Sequence, residues 1–233
     1  MIELRPYAQL GAAQHGWLDA RHHFSFAEYH DPKRMHWGHL RVWNDDIIAP
    51  HSGFPPHPHR DMEIITYVRS GAISHADNLG NKGRTVAGDI QVMSAGTGIT
   101  HSEYNLEDEE TRIFQIWILP DEKGLPPSWG TRQFPNAERA GSFITLASGM
   151  AGDDEDALRI RANARLAAAT LNSGQVAEYH IAPGRKLYLV PAKGRVEVNG
   201  VVAHAGDGLA IRDEQRLRVT TSEDSEVVLV DVA

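Results

Sequence analysis

The sequence contains no cysteine. That absence removes disulfides, zinc–thiolate centres and thiol nucleophiles, and leaves His, Asp and Glu as the usual metal-ligating side chains. No apolar run approaches the roughly 18–20 residues of a membrane-spanning helix. The first residues, Met1-Ile2-Glu3-Leu4-Arg5-Pro6, meet charge early and lack the apolar stretch of a secretory signal. Positive charge is also short: 23 Lys and Arg stand against 31 Asp and Glu, for a formal net charge of −8. Such a balance advertises neither direct nucleic-acid contact nor an anionic membrane as partner. A cytoplasmic globular protein is therefore expected. Its 233 residues suffice for one large domain or two ordinary ones, and 41% hydrophobic with 23% charged residues is ordinary for that class.

What the chain has in excess is histidine. Of its 13 histidines, only His180 and His204 lie beyond His101. The first half holds His57-Pro58-His59, then Glu63, and about 40 residues later His101-Ser102-Glu103. In an extended strand, residues i and i+2 share a face, about 6.6–6.8 Å apart. Pro56 and Pro58 favour extended backbone around His57, and Gly96-Thr97-Gly98 allows a bend that aims His101 and Glu103 inward. If the strand from His57 runs on regularly, Glu63 lies on the same face. Scattered surface histidines are the bland alternative, and a lone His-x-His would favour it. Two such pairs, each beside Gly or Pro and separated by apolar strands, point instead to one metal site.

Short β-rich segments make up most of the rest. Ile64-Ile65-Thr66-Tyr67-Val68, Ile90-Gln91-Val92-Met93 and Ile113 to Leu119 are apolar and β-branched, as are Lys186 to Val190, Arg195 to Val198, Leu217 to Thr220 and Val227 to Val230. Turn signals separate them, the strongest being Asn199-Gly200 between Val198 and Val201. Strands at this spacing predict an all-β sandwich or barrel. Ala157 to Leu171, rich in Ala, Leu and Arg, reads as helix by propensity alone, yet an internal repeat makes it mostly strand. The repeat sets Val86-Ala87-Gly88-Asp89 against His204-Ala205-Gly206-Asp207, and Gly71 against Gly194. It lays His57 on His180, His59 on Ala182, Glu63 on Lys186, His101 on Val219 and Glu103 on Thr221. Two similar barrels follow, of which only the first keeps a ligand set. A proline-rich linker begins at Pro120, giving a barrel over 1–135 with the metal site and a second over 136–233 without it. The acidic run Asp153-Asp154-Glu155-Asp156 is expected in a solvated loop.

Other conspicuous residues carry weaker signals. His22-His23-Phe24-Ser25-Phe26 alternates like a strand covering the barrel, with lining of a cavity as its functional alternative. Trp17, Trp37, Trp43 and Trp117 read as core or pocket wall. Gly96-Thr97-Gly98 is no phosphate loop, because no Lys-Ser/Thr follows.

Gly53, His57, His59, Glu63 and Gly71, with Gly88, Gly96, His101 and Asn105, resemble the two motifs of the cupin superfamily. Pro56 to Ile64, Met93 to Asn105 and Gln115-Ile116-Trp117-Ile118 look more closely like the pirin family, with a C-terminal half like that of bacterial pirin-like quercetinases. The resemblance implies two tandem cupin (double-stranded β-helix) barrels, a bicupin. It implies His57, His59, His101 and Glu103 as ligands of one divalent transition metal. Many other cupins take the glutamate from the first motif, here Glu63, and spacing does not choose between the two. Fe(II) suits the shell first, with Cu, Ni, Mn, Co or Zn also compatible. The implied activity is a dioxygenase that opens a flavonol such as quercetin with O2, with Glu103 or Glu63 as catalytic carboxylate. The alternative is a redox-sensing regulatory protein that binds a protein partner without turnover.

Overall fold

A computed structural model describes residues 1–134, 139–153 and 156–233. The chain is built almost wholly of antiparallel strands. The one named helical element among the described residues is a 3-10 turn, Tyr7–Gln9. No helix among them is long and apolar enough to cross a membrane. Strands with one covered face alternate buried and open side chains, as in Val176–His180 and Ile99–Asn105, whereas Ile90–Ser94 is buried throughout.

The chain forms two compact units. One comprises Gly11–Phe134 and Leu158–Ala162; the other comprises Met1–Leu10, Pro135–Ala157 and Asn163–Ala233. The expected cut between 135 and 136 lies outside the described residues, as do Asp154 and Glu155 of the acidic run. Asp153 is described, and it pairs with Arg165 rather than lying free in solvent. The first ten residues also depart from a single cut. Ile2–Arg5 is an edge strand of the second unit, where Ile2 faces Ile211 and Leu4 faces Leu209. A four-residue strand carries no local signal for which sheet edge it will join, and here Ile2 is recruited by the second unit's core.

In the first unit, a long sheet runs in the order Ser128–Arg132, Ile90–Ser94, Glu63–Ser70, Thr111–Ile118, Leu40–Ile48, Leu18–His22, Gly11–Gln14. A shorter sheet runs Ser52–His59, Ile99–Asn105, Ala72–Asp77, Lys82–Val86. The second unit repeats this plan. Its long sheet includes Ile2–Arg5, Gly208–Arg212, Lys186–Lys193, Ser225–Val232, Ala164–Leu171 and Ile144–Ser148, and its short sheet holds Val176–His180, Arg216–Thr221, Arg195–Val198 and Val201–His204.

Ala164–Leu171 is a strand despite its helix-forming composition. It pairs along its length with Ser225–Val232 and on its other side with Ile144–Ser148, so tertiary pairing overrides propensity. Asn199 and Gly200 take φ of 47° and 86° and join Val198 to Val201 directly, the hairpin their sequence predicts. The repeat is physical as well. Gly71 and Gly194 have φ of 75° and 77°, and a Cβ on either would meet a hydroxyl of the facing strand, Thr111 at 2.5 Å or Ser225 at 2.4 Å. Asp89 and Asp207 each accept a backbone N–H, from Phe134 and Tyr7 respectively.

The interiors differ. Where the first unit carries His101, the second carries Val219, fully buried in a cluster with Leu217, Val196 and Val198. His180 and His204 are exposed.

Candidate metal centre

The strand Ser52–His59 lies antiparallel to Ile99–Asn105, with His57 directly opposite His101 and His59 opposite Ile99. Pro56 and Pro58 are exposed while His57 and His59 turn inward, so the proline-punctuated alternation works as the sequence predicts. The rings of His57 and His101 have centroids 4.5 Å apart, His57 and His59 4.8 Å, and His59 and His101 5.0 Å. Each ring offers one nitrogen, and the three nitrogens lie within 4.8 Å of one another.

The three imidazoles are prepared as lone-pair donors. His57 Nδ1–H donates to Pro55 O at 2.7 Å, which leaves Nε2 as the nitrogen available to a ligand. Burial, followed by the neighbouring His101 and His57, lowers His59 to about 4. Burial, then His57 and His75, lowers His101 to about 3. His101 Nε2 is buried without a hydrogen-bond partner. Such an atom costs stability unless something ligates it, and one transition-metal ion fits three converging imidazole nitrogens.

A second layer stands behind His101. Its Nδ1 lies 3.4 Å from His75 Nδ1, and His75 Nε2 lies 2.9 Å from Asp77 Oδ2. The consistent tautomers have His101 donating to His75 and His75 donating to the carboxylate. Burial works to raise Asp77, but hydrogen bonds from His75, Asn81 and Leu79 outweigh it and hold the carboxyl below its ordinary value. His75 also stacks on Trp129, with centroids 4.7 Å apart and planes 9° from parallel.

Glu103 faces the same interior. A β-bulge between His101 and Glu103 shifts the register, placing Glu103 opposite Phe54. Its carboxylate crosses to the long sheet. There Oε1 accepts from Gln91 Nε2 at 2.6 Å and from the Thr66 hydroxyl at 2.9 Å, and Oε2 accepts from Gln115 Nε2 at 2.8 Å. Thr66 is the register partner of both Gln91 and Gln115, so these three residues form one polar row across three strands. The motif-based reading passes over this cradle and the His75–Asp77 pair. Their signal is a polar residue in the middle of an apolar run, as in Ile65-Thr66-Tyr67, Ile90-Gln91-Val92 and Phe114-Gln115-Ile116.

Glu63 is elsewhere. The strand does not continue regularly from His59, because the chain turns over Arg60 to Met62 with Asp61 at φ 47°. Glu63 then opens a strand of the other sheet, on which its neighbour Ile64 lines the cavity and Glu63 points to the opposite face. Its Oε2 accepts from Ser94 Oγ at 2.6 Å and from Arg161 N at 3.0 Å. Burial raises its carboxyl in spite of these bonds.

The histidines and Glu103 border a cavity of about 340 Å³. Phe26, Phe54, Ile64 and Trp117 form its apolar walls. Trp117 stands edge-on to both His59 and Phe26, at 5.0 and 5.4 Å. His22 and Phe26 line the cavity while Phe24 is buried in the core; the strand ends at His22, so the segment lines the cavity without the strand alternation its sequence suggests.

Comparison with known proteins agrees with this architecture. The sequence model of the family described as Pirin matches residues 3–118, and that described as "Quercetinase C-terminal cupin domain" matches residues 145–232. A Pseudomonas aeruginosa protein named "Putative quercetin 2,3-dioxygenase PA1210" is 70% identical over 233 residues, covering the whole of both chains. A quercetin 2,3-dioxygenase of Escherichia coli K12 is 44% identical, covering 100% of this chain and 99% of that one. The crystal structure of the bacterial pirin YhhW from Escherichia coli in complex with nickel(II) superposes with a TM-score of 0.92 at 43% identity, covering 100% and 99% of the two chains.

Proposed function

From the premise that this chain belongs to the pirin family, we propose that it is a metal-dependent dioxygenase that opens the ring of a flavonol such as quercetin with O2. The support is the convergence of three imidazole nitrogens, with the cradled Glu103 carboxylate bordering the same aromatic-walled cavity. His57, His59 and His101 hold the metal in this reading, with Glu103 as fourth ligand. A related pirin is known with nickel(II), and Fe(II) is the ion the mixed nitrogen and oxygen set suits first for oxygenase chemistry. Held by these residues, such an ion would supply Lewis-acid and redox chemistry.

The chain's own residues do the rest. Phe26, Phe54 and Trp117 flank a planar ring system and keep water from it. A Glu103 carboxylate oxygen takes the proton of a substrate hydroxyl as general base. Thr66, Gln91 and Gln115 fix the carboxylate's direction at rest, and the hydrogen bond from Gln115 to Oε2 is one it can exchange when that proton arrives. The homologues' names support the reaction class.

Elemental analysis of protein purified without a metal-affinity tag, followed by O2 uptake against a flavonol panel, tests the reading. It expects about one metal per chain and uptake with quercetin, both lost in His101→Ala. Full Fe or Cu occupancy with no O2 uptake on any flavonol would sink it.

A further inference from the structure

The cavity has a second polar wall that none of the steps above uses. Leu40–Ile48 pairs in unbroken register with Leu18–His22 and, through Val42, with Thr111–Ile118, so Asn44, Asp46 and Ile48 share one face. Asn44 and Asp46 both line the cavity, while Asp45 between them turns the other way to pair with Arg69. This wall belongs to the long sheet, and the three histidines stand on the short sheet across the cavity.

Asp46 is 2% exposed, and its Oδ1 is buried without a hydrogen-bond partner. Its register neighbours, Ala20 and Ile113, have no polar side chain to offer. Burial first, then the Asp45 and Glu103 carboxylates, push Asp46 well above the ordinary carboxylate range, which favours its neutral, hydrogen-bond-donating form. Next to it, His22 Nδ1–H donates to Asn44 Oδ1 at 2.9 Å. That bond orients the amide and leaves its Nδ2 hydrogens for another acceptor. A buried acid that contributes no bond to the fold, set in the wall of a cavity across from the histidines, has the character of a ligand-reading group.

We infer that Asp46, with the Asn44 amide beside it, is the cavity's second recognition point: it hydrogen-bonds a hydroxyl or carbonyl oxygen of the bound aromatic on the side away from the histidines. The cavity therefore selects polyhydroxylated over bare ring systems. This rests on the flavonol reading and names which flavonols that site prefers.

The test is anaerobic titration of the metal-loaded protein with quercetin and with 3-hydroxyflavone, which has the same chelating oxygens and no other hydroxyl. Asp46→Leu is expected to weaken quercetin binding about tenfold, the scale of one lost hydrogen bond to a buried polar group, and to leave 3-hydroxyflavone unchanged. Asp46→Asn retains a donor and an acceptor and is expected to keep most of the quercetin affinity. Metal content should be equal in all three proteins. Asp46→Leu should melt no lower than the parent, since an unpartnered carboxyl is replaced by apolar volume. If Asp46→Leu does not fold, Asp46→Ala carries the same expectation against the same pair of ligands. Equal weakening toward both ligands, or toward neither, overturns the inference and leaves the flavonol reading standing. A parent protein that binds neither ligand overturns both.

Discussion

Truncating His75 should loosen the metal centre from behind without touching a ligand. In His75→Ala the buried Nδ1–H of His101 loses its acceptor, 3.4 Å away, and the ring loses the brace that runs through His75 to Asp77. The stacking on Trp129 goes as well. Outer partners of ligating histidines are typically worth about 10- to 100-fold in metal affinity. The 3.4 Å contact is long for a hydrogen bond, so the low end applies: about tenfold, or about 1.4 kcal/mol. Asp77→Asn can keep an acceptor for His75 while it removes the charge and gives up the backbone N–H bonds from Leu79 and Asn81 to the other oxygen, so it should cost metal affinity less than His75→Ala, about threefold. His75→Gln, whose amide oxygen can accept from His101, should recover part of the loss. Competition for Ni(II) or Zn(II) against a chelator of known affinity measures all three, and metal-free melting curves separate metal loss from unfolding. If His75→Ala holds metal as tightly as the parent while its metal-free form melts lower, His75 is packing alone and the brace argument is wrong.

Three further outcomes follow from the same geometry. Glu63→Gln should leave metal stoichiometry unchanged, because that carboxylate serves Ser94 and Arg161 on the other face of its sheet; elemental analysis showing metal loss would contradict the placement. In metal-free protein, His59 and His101 titrate near 4 and 3 rather than at the usual 6.5. Below pH 6.5 the unfolded chain therefore binds protons that the folded site refuses, so this contribution lowers stability as pH falls and levels off below about 3. A His59→Gln, His101→Gln double variant should show a shallower loss across that window, and parallel curves of melting temperature against pH would rule this out. Gly194→Ala should cost about 1–3 kcal/mol in chemical denaturation, because its φ is 77° and a Cβ would sit 2.4 Å from Ser225 Oγ; an unchanged midpoint would refute it.

Much of this fold is legible from period and punctuation. Asn199-Gly200 dictates its hairpin, and the Gly71 and Gly194 repeat carries through to equivalent close approaches, because positive φ and crowding are local demands that few residues meet. The histidine trio is legible for the same reason: two proline-flanked His residues on one strand face can only point together. Glu63 is misread where locality ends. Its parity with His59 assumes a regular strand, and a tight turn at Asp61 breaks it. Thr66, Gln91 and Gln115 come together from three strands far apart in sequence, so no window along the chain displays them as a set. Asp46 hides beside Asp45, and only the pleat tells which of the pair meets Arg69 and which meets the cavity.

The strand Ile2–Arg5 pairs with Gly208–Arg212, roughly two hundred residues further on. A ribosome extending at about 5–20 residues per second delivers that partner some 10–40 seconds after the strand itself. Through that interval the second barrel's outermost strand has left the tunnel with nothing to pair with, while the whole of Gly11–Phe134 is being made. The metal-binding barrel can thus close around its histidines before the other barrel has its full set of strands. Placing residues 1–10 after residue 233 by circular permutation would remove the wait while keeping every pairing.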